Sequence, residues 1–330
     1  MSEVLLKPDA DRILARLDTL QASNWLTQKW WPKYTYHFAE RLNAISILET
    51  GGLLCRESKP MKIDTASGQV LDRTDDKWKK HVRLYFRPRA PTQYQVEGFR
   101  PTGQFGSLGK HCPMPFIFMF DSADILTRKT TKFSDGNLAA QPIIGDNAAM
   151  FEQIPFDKVF HDGRMAESEK SLIKFHRCAE VLVPNNLDLS ALRYVWCRSP
   201  AEYQTLFNCL SPEARQRYRK KFGVGAKADV HFRFWTFIED VSLESAKIVL
   251  SFNPSTKTPG PFKANATITS HKYGKLSWSE DQFFTRQKFV LNISTFTTPV
   301  DYEFRFELDG DLAYLGRYKI SDSGVIGTHK

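Results

Sequence analysis

The run Tyr34-Thr-Tyr-His-Phe38 alternates like a strand, and Leu42, Ile45 and Leu48 then recur at three-residue spacing. A strand therefore feeds a helix, and Gly51-Gly52 supply its stop. Ahead of them, Ile13, Leu14, Leu17 and Leu20 mark one face of a helix from Asp9 to about Ala22. The aromatic-basic run from Trp25 through Trp30 and Trp31 to Lys33 follows it. Four more strands are predicted: His81–Phe86, which breaks at Pro88; Pro115–Phe120, the most apolar; Ala179–Val183, closed by Pro184; and Leu192–Trp196. Between them, residues 57–80 read as an exposed polar loop, and residues 127–170 are rich in turn signals such as Asp135-Gly136 and Asp162-Gly163. A helix from Ser199 to about Cys209 has Pro200 in its first turn.

The pattern then changes. Residues 213–227 read as a basic helix ending in a glycine-bearing joint. Only strand-like runs follow: Val230–Phe237, Ala246–Phe252, Ala264–Ser270, Lys288–Ile293, Tyr302–Leu308 and Ala313–Ile320. Turn residues separate them, which predicts a small β-sandwich or barrel beyond a boundary near residue 225. The expected class is α+β, with a mixed-sheet domain ahead of a small all-β domain.

Charge adds a partner class. Lys and Arg number 46 against 37 Asp and Glu, a net charge of +9. Such a chain attracts polyanions, nucleic acid first and a membrane surface second. Phe, Tyr and Trp at 13% suit a protein that stacks single-stranded bases. Cys55, Cys112, Cys178, Cys197 and Cys209 are odd in number and lack CxxC spacing, which argues against a disulfide framework or zinc finger. The N-terminus has no apolar signal core and no run of about 18 apolar residues occurs, so the expectation is a soluble cytoplasmic protein without a membrane partner.

GxGxxG, GxxxxGK[ST], GxSxG and HExxH are all absent, and the eight histidines show no metal-ligand spacing, so no metal is expected. What stands out is polar residues inside apolar strands: His37, Tyr85 and Glu180. Each has a bland reading, as a satisfied core histidine, a packed tyrosine and a glutamate on the outer face of an edge strand. Glu180 is the least bland, because a carboxylate among Ala179, Val181, Leu182 and Val183 is costly to bury without a partner.

Taken in order, Tyr-His-Phe, the helix LNAISILETGGLL, LYFRPRAPTQY, FSDGN and HRCAEVLVP resemble the DarT family over about residues 34–198. Its members are ADP-ribosyltransferase toxins that modify bases of single-stranded DNA and are paired with an antitoxin. The resemblance implies an ADP-ribosyltransferase-like mixed sheet, NAD⁺ as substrate, no metal, and Glu180 as catalytic carboxylate within Arg177-x-Ala179-Glu180-x-Leu182-Val183. His37 matches the histidine of the first strand. Arg56 best matches an arginine after the glycine-ended helix. Tyr85, Phe86, Pro88, Arg89 and Pro91 match a YFxPRxP segment. The chain departs from the family at Ala90-Pro-Thr-Gln93, where Ser-Pro-Met-Leu is common, and at Asn137, where a histidine is common. These departures bear on the acceptor base more than on the chemistry. The domain plan becomes an N-terminal helical extension over 1–33, a catalytic domain over 34–211, a basic helix and linker over 212–227, and a β-rich domain over 228–330.

Loss of nicotinamide from NAD⁺ builds positive charge on the ribose, which a nearby carboxylate stabilises. Histidine suits hydrogen bonding to the adenosine-side ribose, and Tyr85 suits stacking on nicotinamide. Arg56 and Arg89 suit two-pronged contact with the pyrophosphate. Arg56 is also a candidate to act with Glu180 in taking the acceptor proton. Arg215, Arg217, Arg219, Lys220 and Lys221 are candidates for the nucleic-acid backbone, with a merely solvated helix face as the alternative. DNA and RNA stay open as acceptor, with an antitoxin as protein partner and a toxin–antitoxin or phage-defence role. Two other readings compete: a non-catalytic nucleic-acid- or partner-binding module on the same fold, and a protein ADP-ribosyltransferase.

Overall fold

The computed structural model describes residues 5–58, 75–106, 109–294 and 300–320. Its contacts group into two compact units, each assembled from separated stretches of chain. The first comprises residues 1–95, 116–196 and 218–223, and the second residues 96–115, 197–217 and 224–330.

The first unit is built on an eight-stranded mixed sheet. In chain order its strands are β1 (Tyr34–Glu40), β3 (His81–Tyr85), β4 (Pro115–Asp121), β5 (Lys132–Ser134), β6 (Ile144–Gly145), β7 (Glu180–Pro184), β9 (Leu192–Cys197) and β10 (Phe222–Val224). The spatial order is β10-β9-β4-β1-β3-β7-β5-β6, while β2 (Gly52–Leu54) pairs separately with β8 (Asn186–Asp188). Helix Ala10–Ala22 buries the predicted stripe of Ile13, Leu17 and Leu20. Helix Arg41–Thr50 starts where the Glu40 carboxylate accepts the Leu42 amide and stops at Gly51, whose φ of 78° is cheap only without a Cβ. Of the loop expected over residues 57–80, residues 59–74 lie outside the described residues, and Asp76–Lys80 forms a short helical turn. Among the described residues, no helix is long and apolar enough to cross a membrane.

The second unit stacks two antiparallel sheets. One orders β11 (Ile238–Leu243), β12 (Lys247–Phe252) and β15 (Lys288–Asn292). The other orders β14 (Gly274–Phe283), β13 (Phe262–Ser270), β16 (Tyr302–Leu308) and β17 (Asp311–Tyr318). Alternate residues of both sheets, among them Ile248, Leu250, Phe252, Ala266, Ile268, Phe304 and Phe306, join one core, as a sandwich requires.

Two expectations change. Val230–Phe237 is not a strand, because side chains capture its backbone: Glu97 accepts the amides of Phe232 and Arg233, and Asn253 accepts that of Phe237. The basic helix is short, covering Pro212–Tyr218 only, so Arg219, Lys220 and Lys221 lie beyond it.

Candidate active site

β7 begins at Glu180, and the antiparallel register of β3 with β7 sets Tyr85 opposite Glu180. Tyr36 on β1 is in turn opposite Tyr85. Directly paired residues share a sheet face, so Tyr36, Tyr85 and Glu180 form one rung. Arg83 lies two residues before Tyr85 and therefore points the same way. Its guanidinium grips the Glu180 carboxylate with two prongs, Nε to Oε2 and Nη2 to Oε1, the latter at 2.5 Å. The Glu180 side chain is 2% exposed and that of Arg83 26%. Burial alone would push the Arg83 pKa down, but the charge and hydrogen bonds of Glu180 outweigh it and hold the pKa above its ordinary value.

The surrounding groups respond to the same carboxylate. Burial, and then the charge of Glu180, raise the Tyr85 pKa. The same two causes push the Cys178 thiol up to about 12, so it is an unreactive neutral group. Tyr85 stacks on Phe38 with ring centroids 6.3 Å apart, and its hydroxyl lies 3.1 Å from Thr92 Oγ1. His37 is the residue after Tyr36 and so projects from the opposite face of the strand, against Phe118 with ring centroids 6.5 Å apart, while its Nδ1 lies 3.1 Å from the Arg83 carbonyl. Burial lowers the His37 pKa, with that hydrogen bond working in the opposite direction.

Two of the sequence motifs build the floor. In FSDGN, Ser134 Oγ accepts the Glu180 amide at 3.0 Å and donates to the Gly136 carbonyl at 2.8 Å. A Cβ on Gly136 would meet the Phe175 ring at 2.3 Å, so a larger residue there would have to push that ring aside. In YFRPRAP the chain turns at Arg89, whose φ of 56° is left-handed and whose amide is accepted by Gln93 Oε1 at 3.0 Å. Thr92 and Gln93, two of the departures from the family pattern, thus hold Tyr85 and the Arg89 turn.

That turn brings guanidiniums together. Arg87 Nη2 and Arg89 Nη2 both donate to Asp162 Oδ1, at 3.2 and 3.0 Å. Arg177 Nη2 lies 2.8 Å from His161 Nδ1. Arg87 and Arg89 also lie over the Trp31 ring, at 4.8 and 5.8 Å from its centroid. Burial first, and then the nearby Arg177 charge, lower the Arg87 pKa to about 9, against the pull of Asp162. Three cations around one carboxylate leave an excess of positive charge suited to an anion.

Tyr85 and Glu180 therefore share one rung with Arg83 beside them, and Arg89 joins the guanidinium cluster. His37 reaches this group only through the Arg83 main chain, from the other face of β1. Arg56 follows Cys55, whose amide bonds to the Asn185 carbonyl beyond the last residue of β7. Its backbone thus sits at the Pro184 end of that strand, about 13 Å along from Glu180. The basic residues also part company. Arg215 and Arg217 group with the second unit, and Arg219, Lys220 and Lys221 with the first. Arg215 donates to the Leu210 and Asn208 carbonyls at 2.9 Å each, and Lys221 Nζ to the Leu192 carbonyl at 2.7 Å. Sequence reading missed Arg83, Arg87, Asp162 and Ser134. Arg83 alone had a signal, its two-residue spacing from Tyr85.

A family model described as ssDNA thymidine ADP-ribosyltransferase, DarT, matches residues 36–224, more than half of the chain. No curated protein matches it. The solved structure of Thermus sp. 2.9 DarT in complex with ADP-ribosylated ssDNA is similar at 15% identity over 61% of this chain and 97% of that one, with a TM-score of 0.45. The same protein in complex with NAD⁺ gives 14% identity over 61% and 98%, with a TM-score of 0.45. Thermosipho africanus DarTG in complex with ADP-ribose gives 19% identity over 64% of this chain and 53% of that one, again at 0.45.

Proposed function

Because the chain belongs to the DarT family of NAD⁺-dependent ADP-ribosyltransferases, we propose that its catalytic domain, residues 34–211, transfers ADP-ribose from NAD⁺ to thymidine in single-stranded DNA. The observation behind this reading is the Arg83–Glu180 pair: a buried carboxylate gripped by a partly exposed arginine, on the rung of Tyr85. A carboxylate that deep is costly to bury alone, and the two-pronged arginine supplies its counter-charge and hydrogen bonds.

The roles follow from the chemistry. The bond from ribose C1′ to nicotinamide breaks, nicotinamide leaves neutral, and positive charge builds on the ribose. The Glu180 carboxylate stabilises that charge. A bond then forms from C1′ to the base, and the base proton passes to Glu180. Tyr85, backed by Phe38, stacks on the nicotinamide ring. His37, with Nδ1 on the Arg83 carbonyl, steadies the β3 backbone that carries Arg83. Arg89, with Arg177 nearby, holds the pyrophosphate, while buried Arg87 braces the turn through the Pro88, Val159 and His161 carbonyls. Arg56 enters as a backbone or phosphate contact more readily than as the partner of Glu180, since Arg83 fills that role.

A base in a duplex would have to be extruded at a cost of a few kcal/mol, which favours single strands. A transferase that modifies DNA in the cytoplasm of its own host needs restraint, so the reading includes a toxin–antitoxin or phage-defence role with an antitoxin as partner. The family is its support. Labelled NAD⁺ incubated with the purified protein and separate pools of single-stranded DNA, RNA and protein tests it. Label should enter the DNA pool, in oligonucleotides that contain thymidine. Label in RNA or protein alone would overturn the acceptor, and no label anywhere would overturn the enzymatic reading.

A further inference from the structure

Within the first unit, a cleft of about 590 Å³ opens beside helix Ala10–Ala22, and its lining includes Tyr34 of β1 and Tyr194 of β9. Four cations line it, Lys33, Arg193, Lys220 and Lys221, against the two carboxylates Asp18 and Asp121. Two of these cations are held in place. Asp121 Oδ2 accepts from Arg193 Nε at 3.1 Å, and the Leu192 carbonyl accepts from Lys221 Nζ at 2.7 Å.

Aromatic rings continue along the same edge at near-constant steps. Trp30 and Tyr34 have centroids 6.2 Å apart, Tyr34 and Tyr194 5.9 Å, and Tyr194 and Trp196 6.2 Å. Tyr194 is 38% exposed, so its ring is not core filling. The Trp196 ring lies against Gly223, where a Cβ would come within 2.2 Å of it, so a larger residue there would displace the ring. At the other end, Trp30 meets Trp31 edge-on at 6.4 Å, and Trp31 lies under the Arg87 and Arg89 guanidiniums. Trp31 is 1% exposed, so the accessible row of rings ends at Trp30, one ring short of the guanidinium cluster.

A packed core would bury such rings among apolar neighbours, and a merely solvated face would not align them with a row of cations. The rings meet one another tilted or edge-on, at 60°, 78° and 72°, so they brace each other and leave the exposed Tyr194 face for a base, while the row of cations suits the phosphates of a single strand. Resting on the transferase reading above, we propose that this cleft binds single-stranded DNA and holds the nucleotides that flank the acceptor base. Tyr34 and Tyr194 are the stacking platform, and Lys33 and Lys220 are the phosphate contacts.

The test is anisotropy of a labelled oligothymidylate, titrated with protein at several salt concentrations. Tyr194→Ala should weaken binding about fivefold or more, the loss expected for one stacked base. The double variant Lys33→Gln/Lys220→Gln should flatten the salt dependence by a slope of about 1.4, from two lost phosphate contacts at about 0.7 each. Unchanged affinity and slope in both variants would overturn the proposal. So would loss of binding to anionic phospholipid vesicles with oligonucleotide binding intact, which would make the cleft a lipid site. Label transfer by the same wild-type preparation separates the two readings. Oligonucleotide binding that depends on the cleft, without transfer, would sink the enzymatic reading alone. Transfer with unaltered binding in the variants would sink the cleft alone.

Discussion

Each unit of this chain buries an arginine–glutamate pair, and the two pairs differ in how they are enclosed. In the second unit Arg198 donates to Glu202, with side chains 0% and 1% exposed, and Glu97 stands 3.6 Å from Arg198 with no exposure at all. Arg198 also donates to the Pro113 carbonyl at 2.8 Å and lies 4.3 Å from the Phe237 ring centroid. Glu97 in turn holds the amides of Phe232 and Arg233, at 3.1 and 2.8 Å. Those contacts go to backbone and tie loops together. In the first unit the Arg83 side chain is 26% exposed, and the neighbours of its pair with Glu180 are Tyr85 and Cys178 rather than backbone carbonyls. A buried carboxylate is therefore no mark of chemistry by itself. What separates the pairs is a partner open to solvent and side chains, not main chain, around it.

The sharpest break in the comparison is to remove one partner from each pair. Glu202→Ala leaves Arg198 buried with a weaker, more distant carboxylate, and should cost about 3–5 kcal/mol of stability by denaturant unfolding. A loss below about 1 kcal/mol would mean that Glu202 is not a clamp. Glu180→Gln should act in the other currency. Transfer from labelled NAD⁺ should fall a hundredfold or more, as removal of about 3–4 kcal/mol of transition-state stabilisation requires. If the wild type is toxic on expression, the same substitution should relieve it. Retained transfer by Glu180→Gln would remove that residue from the mechanism.

How much of this was legible before folding follows from where each signal resides. The strands of the first unit alternate or run apolar, and the elements read from them, such as Tyr34–Glu40 and Pro115–Asp121, appear within a few residues of their expected bounds. β14, Gly274–Phe283, escaped notice because its alternation is brief, Leu276 and Trp278 only, before the polar run Ser279-Glu-Asp-Gln282 breaks it. Val230–Phe237 looked like a strand because its apolar alternation is real, but side chains from distant segments take its amides, and only the folded chain brings them there. Glu180 was legible from the cost of burying it. Arg83 carried only its two-residue spacing from Tyr85, because its role depends on the register of β3 against β7, which no local pattern sets. The convergence of Arg87 and Arg89 on Asp162 was hidden for the same reason, with more than seventy residues between the partners.

Histidine titration offers a gentler probe of the same contrast. His231 in the second unit is buried, and burial pushes its pKa down to about 4, against the pull of Glu97. The unfolded chain binds a proton near pH 6.5, before the folded one does. Stability contributed by neutral His231 is thus complete above pH 6.5 and is lost as pH falls toward 4. The loss should amount to about 3 kcal/mol. His37 in the first unit shifts in the same direction, but the Arg83 carbonyl offsets part of the burial. Unfolding followed from pH 7 to pH 4 should therefore flatten in His231→Gln relative to wild type. An identical pH profile in the variant would show that His231 is already protonated when folded.

The smallest effect concerns Arg215, which sequence reading grouped with four other basic residues as a backbone contact for nucleic acid. Its guanidinium donates to the Leu210 and Asn208 carbonyls and lies 5.4 Å from the Phe207 ring centroid. These are the orphan carbonyls at the end of helix Pro200–Cys209 and just past it, which need a donor, and the guanidinium supplies two. A phosphate would have to pull Arg215 away from both. Arg215→Gln should accordingly lower stability by about 1 kcal/mol while leaving the salt dependence of oligonucleotide binding where it was. Lys33→Gln/Lys220→Gln is expected to do the reverse, because surface lysines contribute little to stability and much to counterion release. Denaturant unfolding and a salt titration on both variants settle the assignment. A flatter slope in Arg215→Gln, by about 0.7 or more, would return this residue to the nucleic-acid surface and make its carbonyl contacts a resting arrangement of the unbound protein.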